Sequence, residues 1–290
     1  MKIGLIDLDG KLPNLALMKL STWHKARGDD VELTMPVLAA GYDKVYMSKV
    51  FTWSDMPTLP LSAEVGGTGC DLHKTLPEEI ERLCPDYSLY KMDYSMGFLT
   101  RGCIRKCEFC FVPEKEGQIR PAADIEEFLR HKKAVLLDNN VLAHKHGIEQ
   151  IEKIVGMGIK VDFNQGLDAR LIDDVTASLL AKVRWIRFVR MACDNQSMKR
   201  PVEKAVKLLR KHGLRKEIFC YVLVDGDIEE AHNRAEFLRG LKVDPFAQPY
   251  RSPDGKEAPK QSRVFANWVN KKAEFKSCSW QDYKYNIWGN

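Results

Sequence analysis

No apolar run in the 290 residues approaches the ~18 needed to cross a membrane, so no membrane partner is expected. The first residues, Met1 to Asp9, carry acids where a signal peptide would be apolar; they read as a first strand. A dense basic stripe of the kind that binds nucleic acid is also missing. The formal charge is only +5, spread through a chain that is 29% charged and 44% hydrophobic, the composition of an ordinary soluble globular protein. A zinc-type doubled Cys-x2-Cys is absent, and so is a four-cysteine ferredoxin run. Of the eight cysteines, Cys70, Cys84, Cys193, Cys220 and Cys278 are scattered. They read as free thiols in a reducing, cytoplasmic compartment rather than as a disulfide framework.

The remaining three cysteines are not scattered. Thr100-Arg101-Gly102-Cys103-Ile104-Arg105-Lys106-Cys107-Glu108-Phe109-Cys110 sets Cys103, Cys107 and Cys110 in a Cys-x3-Cys-x2-Cys pattern. Thiolates are the soft ligands of iron–sulfur clusters. Three of them can bind three irons of a cubane and leave the fourth iron open to chemistry.

Residues 1–90 read as a small α/β layer. Ile3–Leu8 is a buried strand, Pro13-Asn14 opens a helix that Gly28 stops, and Val31–Leu33, Lys44–Met47 and Ala63–Val65 are further strands. The turn Gly66-Gly67-Thr68-Gly69 is either a phosphate cradle or only a turn. Lys49, at a strand end, either is solvated or reaches toward the mouth of the neighbouring domain.

From 91 to 252 six short apolar runs recur: Met96–Leu99, Ala134–Leu137, Lys160–Phe163, Trp185–Val189, Phe219–Val224 and Val243–Ala247. Amphipathic stretches separate them, the first opened by Pro121 and the others at Ile148–Val155, Thr176–Lys182, Pro201–Lys211 and Asp227–Leu238. This alternation predicts an α/β fold with a parallel sheet, as a barrel or as an open doubly wound sheet. Chemistry in a barrel sits at the C-terminal strand ends, and the cysteine loop follows the first run. Asp138, Asn139 and Asn140 follow the second. Asp162 and Asn164 alternate with Val161 and Phe163, so both belong to one strand face. On the fourth run Arg187 and Arg190 fall on opposite faces, one inward and one outward, with Asp194 and Asn195 near the active end. Tyr221 and Asp225 are inward or strand-end candidates of the fifth. Residues 253–290 hold a helix at Gln261–Lys272 and a tail with Trp280, Tyr283, Tyr285 and Trp288. Such a tail either closes the site or, less favoured because charge is not clustered, holds single-stranded nucleic acid.

The three-cysteine spacing, with Phe109 just before the third cysteine and a strand-like run upstream, resembles the radical S-adenosylmethionine (radical SAM) superfamily. The resemblance implies a partial parallel (β/α)6 TIM-like barrel over 91–252, preceded by a small α/β layer. It implies a 4Fe-4S cluster on Cys103, Cys107 and Cys110 that holds SAM and, once reduced, cleaves it to a 5′-deoxyadenosyl radical. It also implies a one-electron donor such as flavodoxin or ferredoxin. By the same resemblance Phe109, Phe111 and Val112 shield cluster and adenine. Asp138, Asn139 and Asn140 take the methionine amine, and Arg190, Asp194 and Asn195 take the ribose and methionine carboxylate. The layer at 1–90 resembles a cobalamin-binding domain, but Asp7 and Asp9 are not followed by the His of its Asp-x-His-x-x-Gly signature, so no cobalamin is expected. The blend of layer and barrel is similar to the queuine lyases, which split a deazapurine base taken up for tRNA modification. That likeness implies that an acid such as Asp162 or Asp225 meets the base's guanine-like edge, with Lys49 at the remote end. The alternatives are a radical SAM enzyme acting on RNA or another small molecule, and a non-catalytic iron–sulfur module that binds nucleic acid.

Overall fold

The computed structural model describes residues 1–283. The chain divides into two compact units, Met1–Asn139 and Asn140–Asn290, a division that falls inside the stretch read as barrel.

The first unit opens with β1 (Lys2–Asp7), α1 (Leu15–Lys25), β2 (Asp30–Leu33), β3 (Lys44–Ser48) and β4 (Glu64–Gly66). The strands are parallel in the order β2-β1-β3-β4. The run of apolar residues in β1 follows from burial on both faces. Ile3 and Leu5 pack with Leu17, Leu20, Val31 and Ile80, whereas Ile6 packs with Ala39, Val45 and Met47. Asn14 starts α1 by accepting from the Ala16 and Leu17 N–H groups. After α2 (Glu78–Glu81) come β5 (Ser95–Gly97), β6 (Thr100–Arg101), α3 (Val112–Glu116), β7 (Arg120–Pro121), α4 (Ile125–Phe128) and β8 (Lys133–Leu136). β5 and β8 are parallel. Pro121 does not open a helix: it pairs with Thr100 across an antiparallel β6–β7 ribbon. α4 instead begins after Asp124, whose capping box with Glu127 offers the stronger start.

The second unit contains α5 (Lys145–Met157), β9 (Lys160–Phe163), α6 (Asp174–Lys182), β10 (Arg184–Trp185), β11 (Val189–Ala192), α7 (Lys199–Lys211), β12 (Ile218–Val224), α8 (Ile228–Gly240), β13 (Asp244–Pro249), α9 (Lys260–Asn270) and α10 (Lys272–Ser277). β9 and β10 are parallel, as are β11, β12 and β13 in that order. The apolar run at Trp185–Val189 is two strands rather than one. Ile186 N–H donates to Val161 O, continuing along β9, whereas Val189 N–H donates to Glu217 O beside β12; the chain changes partner between them. Parallel sheets alternating with helices are therefore present, and no closed barrel is formed among the described residues.

The aromatic tail enters the core. Phe265 and Trp268 of α9 are fully buried, and Trp280 and Tyr283 are nearly so. Trp280 meets Phe265 edge-on and lies against Trp268. Tyr285 and Trp288 lie outside the described residues.

Candidate functional site

The cysteine loop runs from β6 to α3. It leaves β6 through Gly102 (φ +81°), where a Cβ would stand 2.3 Å from Gln118 O. Only glycine fits that approach. Cys103 N–H donates to Gly117 O at 3.2 Å and Cys110 N–H to Cys107 O at 3.0 Å. Arg105 N–H points at Cys103 Sγ at 3.3 Å. All three cysteines are half-buried. Phe109 and Phe111, next to Cys110 in the chain, are 40% and 51% exposed, and Val112 begins α3. The donor set suits an iron–sulfur cluster in kind: soft thiolates, one with a backbone donor, flanked by apolar rings. Among the described residues no group of three or more His, Cys, Asp or Glu side chains that could hold a metal ion is found.

The three polar residues after β8 have three different surroundings. Asp138 is buried. Its carboxylate accepts from Leu99 N–H at 3.2 Å, Thr100 N–H at 2.6 Å and Thr100 Oγ1 at 2.7 Å, which fixes the entrance of the cysteine loop. Burial pushes its pKa up to about 6 against the opposing pull of those hydrogen bonds. Asn139 donates through Nδ2 to Glu116 Oε2 at 2.7 Å. Asn140, which begins the second unit, donates to Asp168 Oδ2 at 3.3 Å. Sequence reasoning missed Glu116 and Thr100, because no local pattern distinguishes them from solvated residues.

Lys49 is not a solvated cation. It is 6% exposed and donates to Thr52 O at 3.2 Å. The Gly66–Gly69 turn packs against this segment. A Cβ on Gly67 would lie 2.3 Å from Lys49 O, and one on Gly69 2.5 Å from Phe51 O. Gly69 N–H donates to Lys49 O at 3.0 Å, and Cys70 and Asp71 N–H both donate to Gly67 O. These glycines serve close backbone approach, and three N–H groups that a phosphate would use are already engaged.

In the second unit four of the sequence-derived candidates come together. Asp162 on β9 forms an ion pair with Arg190 on β11, both buried. Asp162 therefore faces the chain's own guanidinium instead of standing open. Arg190 also lies 4.7 Å over the Phe188 ring, whereas Arg187, in the break between β10 and β11, is exposed. Burial lowers the pKa of Arg190, and a hydrogen bond to Tyr221 opposes this. Tyr221 OH reaches toward Asn164 O at 3.5 Å. Phe188, Phe219, Tyr221 and Phe246 form one patch of half-buried rings, with centroids 4.7 to 6.1 Å apart. Asp194, Asn195 and Asp225 lie at strand ends. Asp194 accepts from Leu223 N–H at 3.2 Å, and burial raises its pKa. Asn195 Oδ1 accepts from Ser197 Oγ at 2.5 Å. Asp225 is exposed.

No family model matches the chain, and no curated protein matches it. Among solved structures the chain is similar to one described as the crystal structure of Streptococcus suis SuiB, at 14% identity and a TM-score of 0.44, over 64% of this chain and 48% of that one. The chain thus spans about half the length of that structure. Among the described residues no helix is long and apolar enough to cross a membrane.

Proposed function

We propose that the chain is a radical SAM enzyme in which Cys103, Cys107 and Cys110 hold a 4Fe-4S cluster and a small molecule is the substrate. The observation that carries this is the Cys-x3-Cys-x2-Cys spacing on a loop whose first sulfur meets a backbone donor, Arg105 N–H. When bound, cluster and SAM supply one-electron cleavage of the sulfonium and hydrogen-atom abstraction from an unactivated carbon. The protein's own part is to hold and shield. Arg105 N–H donates to Cys103 Sγ and holds its direction. Phe109, Phe111 and Val112 provide an apolar wall against water. Asp138 anchors the loop entrance, and Asn139 and Asn140 beside it are the amides we assign to the cationic amine. Arg190, Asp194 and Asn195 are the polar groups for ribose and carboxylate.

The substrate we propose is a deazapurine base, split as in queuine lyases. Support comes from the sequence likeness and from the half-buried patch of Phe188, Phe219, Tyr221 and Phe246, which suits a planar ring. Asp225, exposed at its strand end, is better placed than the paired Asp162 to meet the base edge. Asn164 and Tyr221 border the patch. A flavodoxin- or ferredoxin-type donor supplies the electron, in a reducing cytoplasm. The competing reading, RNA held on the tail aromatics, is weakened because Trp280 and Tyr283 are packed inside.

The test is anaerobic reconstitution followed by iron and sulfide analysis, low-temperature EPR, and incubation with SAM, a reductant and queuine. We expect a coloured protein that forms 5′-deoxyadenosine. A colourless, iron-free protein that leaves SAM intact overturns the reading, and SAM cleavage without a queuine-derived product removes the base as substrate.

A further inference from the structure

The segment that carries the cysteines is tied at its two ends by one side chain. Glu116 is the last residue of α3, and its carboxylate is only 10% exposed. Its Oε2 accepts from Gly102 N–H at 2.9 Å, across a sequence separation of 14 residues. The same oxygen accepts from Asn139 Nδ2 at 2.7 Å, and Oε1 lies 3.5 Å from Arg101 Nη1. Gly102 immediately precedes Cys103, and Asn139 lies beyond the end of β8. One carboxylate thus joins the loop's entrance, its exit and a neighbouring strand end, with Arg101 balancing its charge. The Cys103 N–H bond to Gly117 O, one residue beyond Glu116, closes the same ring through the backbone. Hydrogen bonds to a charged acceptor are stronger than neutral ones, and closing a loop in advance removes entropy that ligand binding would otherwise have to overcome.

We propose that Glu116 is a positioning residue that clamps the cysteine loop so that its three thiolates bind one cluster together. The cluster part rests on the reading given under Proposed function; the clamp itself rests on the geometry above. Glutamine at 116 keeps an oxygen acceptor for Gly102 N–H, and Asn139 can turn its amide to match. Alanine removes every contact.

The experiment compares wild type, Glu116→Ala and Glu116→Gln after anaerobic reconstitution, with an iron chelator as challenge. Glu116→Ala is expected to release iron about tenfold faster, the scale set by losing a charge-assisted hydrogen bond. Its reduced-cluster EPR signal should be broadened, while its thermal midpoint stays near that of wild type. Glu116→Gln, which keeps the acceptor without the charge, should bring both the release rate and the signal part of the way back toward wild type. Equal release from Glu116→Ala and wild type overturns the clamp, as does a glutamine variant that fails as badly as alanine. The apoprotein gives a readout that does not depend on a cluster: Cys103 alkylation by iodoacetamide, followed by mass spectrometry, should be faster in Glu116→Ala and return toward the wild-type rate in Glu116→Gln. If wild type takes up no iron, the cluster reading falls while alkylation still decides the clamp, and unchanged alkylation overturns it. Should Glu116→Ala not fold, Glu116→Asp, one methylene too short to reach both donors, replaces it under the same criteria.

Discussion

Asp162 and Arg190 meet as an ion pair inside the second unit, with side chains only 7% and 6% exposed. The partners come from β9 and β11, which belong to two different sheets, so the pair bridges strands that share no ladder hydrogen bonds. A buried pair is costly to break from one side, because the surviving charge remains in a poor dielectric. Arg190→Met alone should therefore lower unfolding free energy by about 3–5 kcal/mol. Replacing both, as Asp162→Leu with Arg190→Met, should recover most of that loss, since two apolar side chains of similar volume leave no orphan. Urea unfolding of the single and double variants measures this. A double variant as unstable as the single one would mean that the pair's partners, Tyr221 among them, matter more than the pair.

Asp138 makes a prediction about pH. Its pKa is about 6 in the folded chain against an ordinary 3.8. Well below pH 3.8 the group is protonated both folded and unfolded and contributes nothing to the pH slope. Between about pH 4 and pH 6 the native state keeps a proton that the unfolded chain has released, so stability falls as pH rises. The total is of order 3 kcal/mol. Asp138→Asn does not titrate, so the wild-type advantage over this variant should shrink by that order between pH 4 and pH 6.5. Denaturant titrations at the two pH values read the difference directly, and a difference that does not change with pH would rule the assignment out.

How much of this was legible beforehand depended on how local each signal was. Asn14 capping α1, the parallel strands of the first layer and the Cys-x3-Cys-x2-Cys loop are each written in a few adjacent residues. The break at Ile186 to Phe188 was not legible, because a change of strand partner leaves the run of apolar residues intact. Pro121 misled because a proline suits both the first turn of a helix and an edge ribbon; Asp124 and Glu127 were the better sign. Glu116 was invisible for a different reason. Its partners Gly102 and Asn139 become neighbours only when the strands assemble, and nothing in its flanking sequence separates it from a surface glutamate. Trp280 and Tyr283 carried a pattern common to stacking platforms and to cores, and burial decided between them.

Gly67 and Gly28 allow two causes of strain to be separated. Both have positive φ, +97° and +80°. An added Cβ at Gly28 meets nothing within 4 Å, whereas at Gly67 it lies 2.3 Å from Lys49 O and 2.9 Å from Ser48 Oγ. Gly28→Ala should cost only the left-handed backbone penalty, about 1–2 kcal/mol. Gly67→Ala adds a clash with a backbone carbonyl that cannot swing aside, for a total of about 2–5 kcal/mol. Thermal unfolding of the two variants compares them. Equal losses would mean that the 48–52 segment yields easily, and Lys49 would then not be held as tightly as its burial indicates.

Arg234 is the last node, and the one on which the strand ends of the second unit depend. It is 1% exposed and donates from Nη1 to Cys193 O at 2.7 Å, from Nη2 to Leu223 O at 2.8 Å and from Nε to Glu230 Oε2 at 2.6 Å. The two carbonyls belong to neighbouring chain segments at the ends of β11 and β12, and Asp194, next after Cys193, accepts from the N–H of that same Leu223. A planar fork satisfies three acceptors in fixed directions, which an ammonium on a flexible stem cannot reproduce. Arg234→Lys should therefore lose about 2–4 kcal/mol although the charge is kept. Arg234→Met should lose more, because Glu230 and both carbonyls are then left without a donor. If position rather than charge is what matters, hydrogen exchange at Leu223 N–H should quicken in the lysine variant even where the fold survives. A lysine variant with wild-type stability and exchange would show that charge alone suffices at this site.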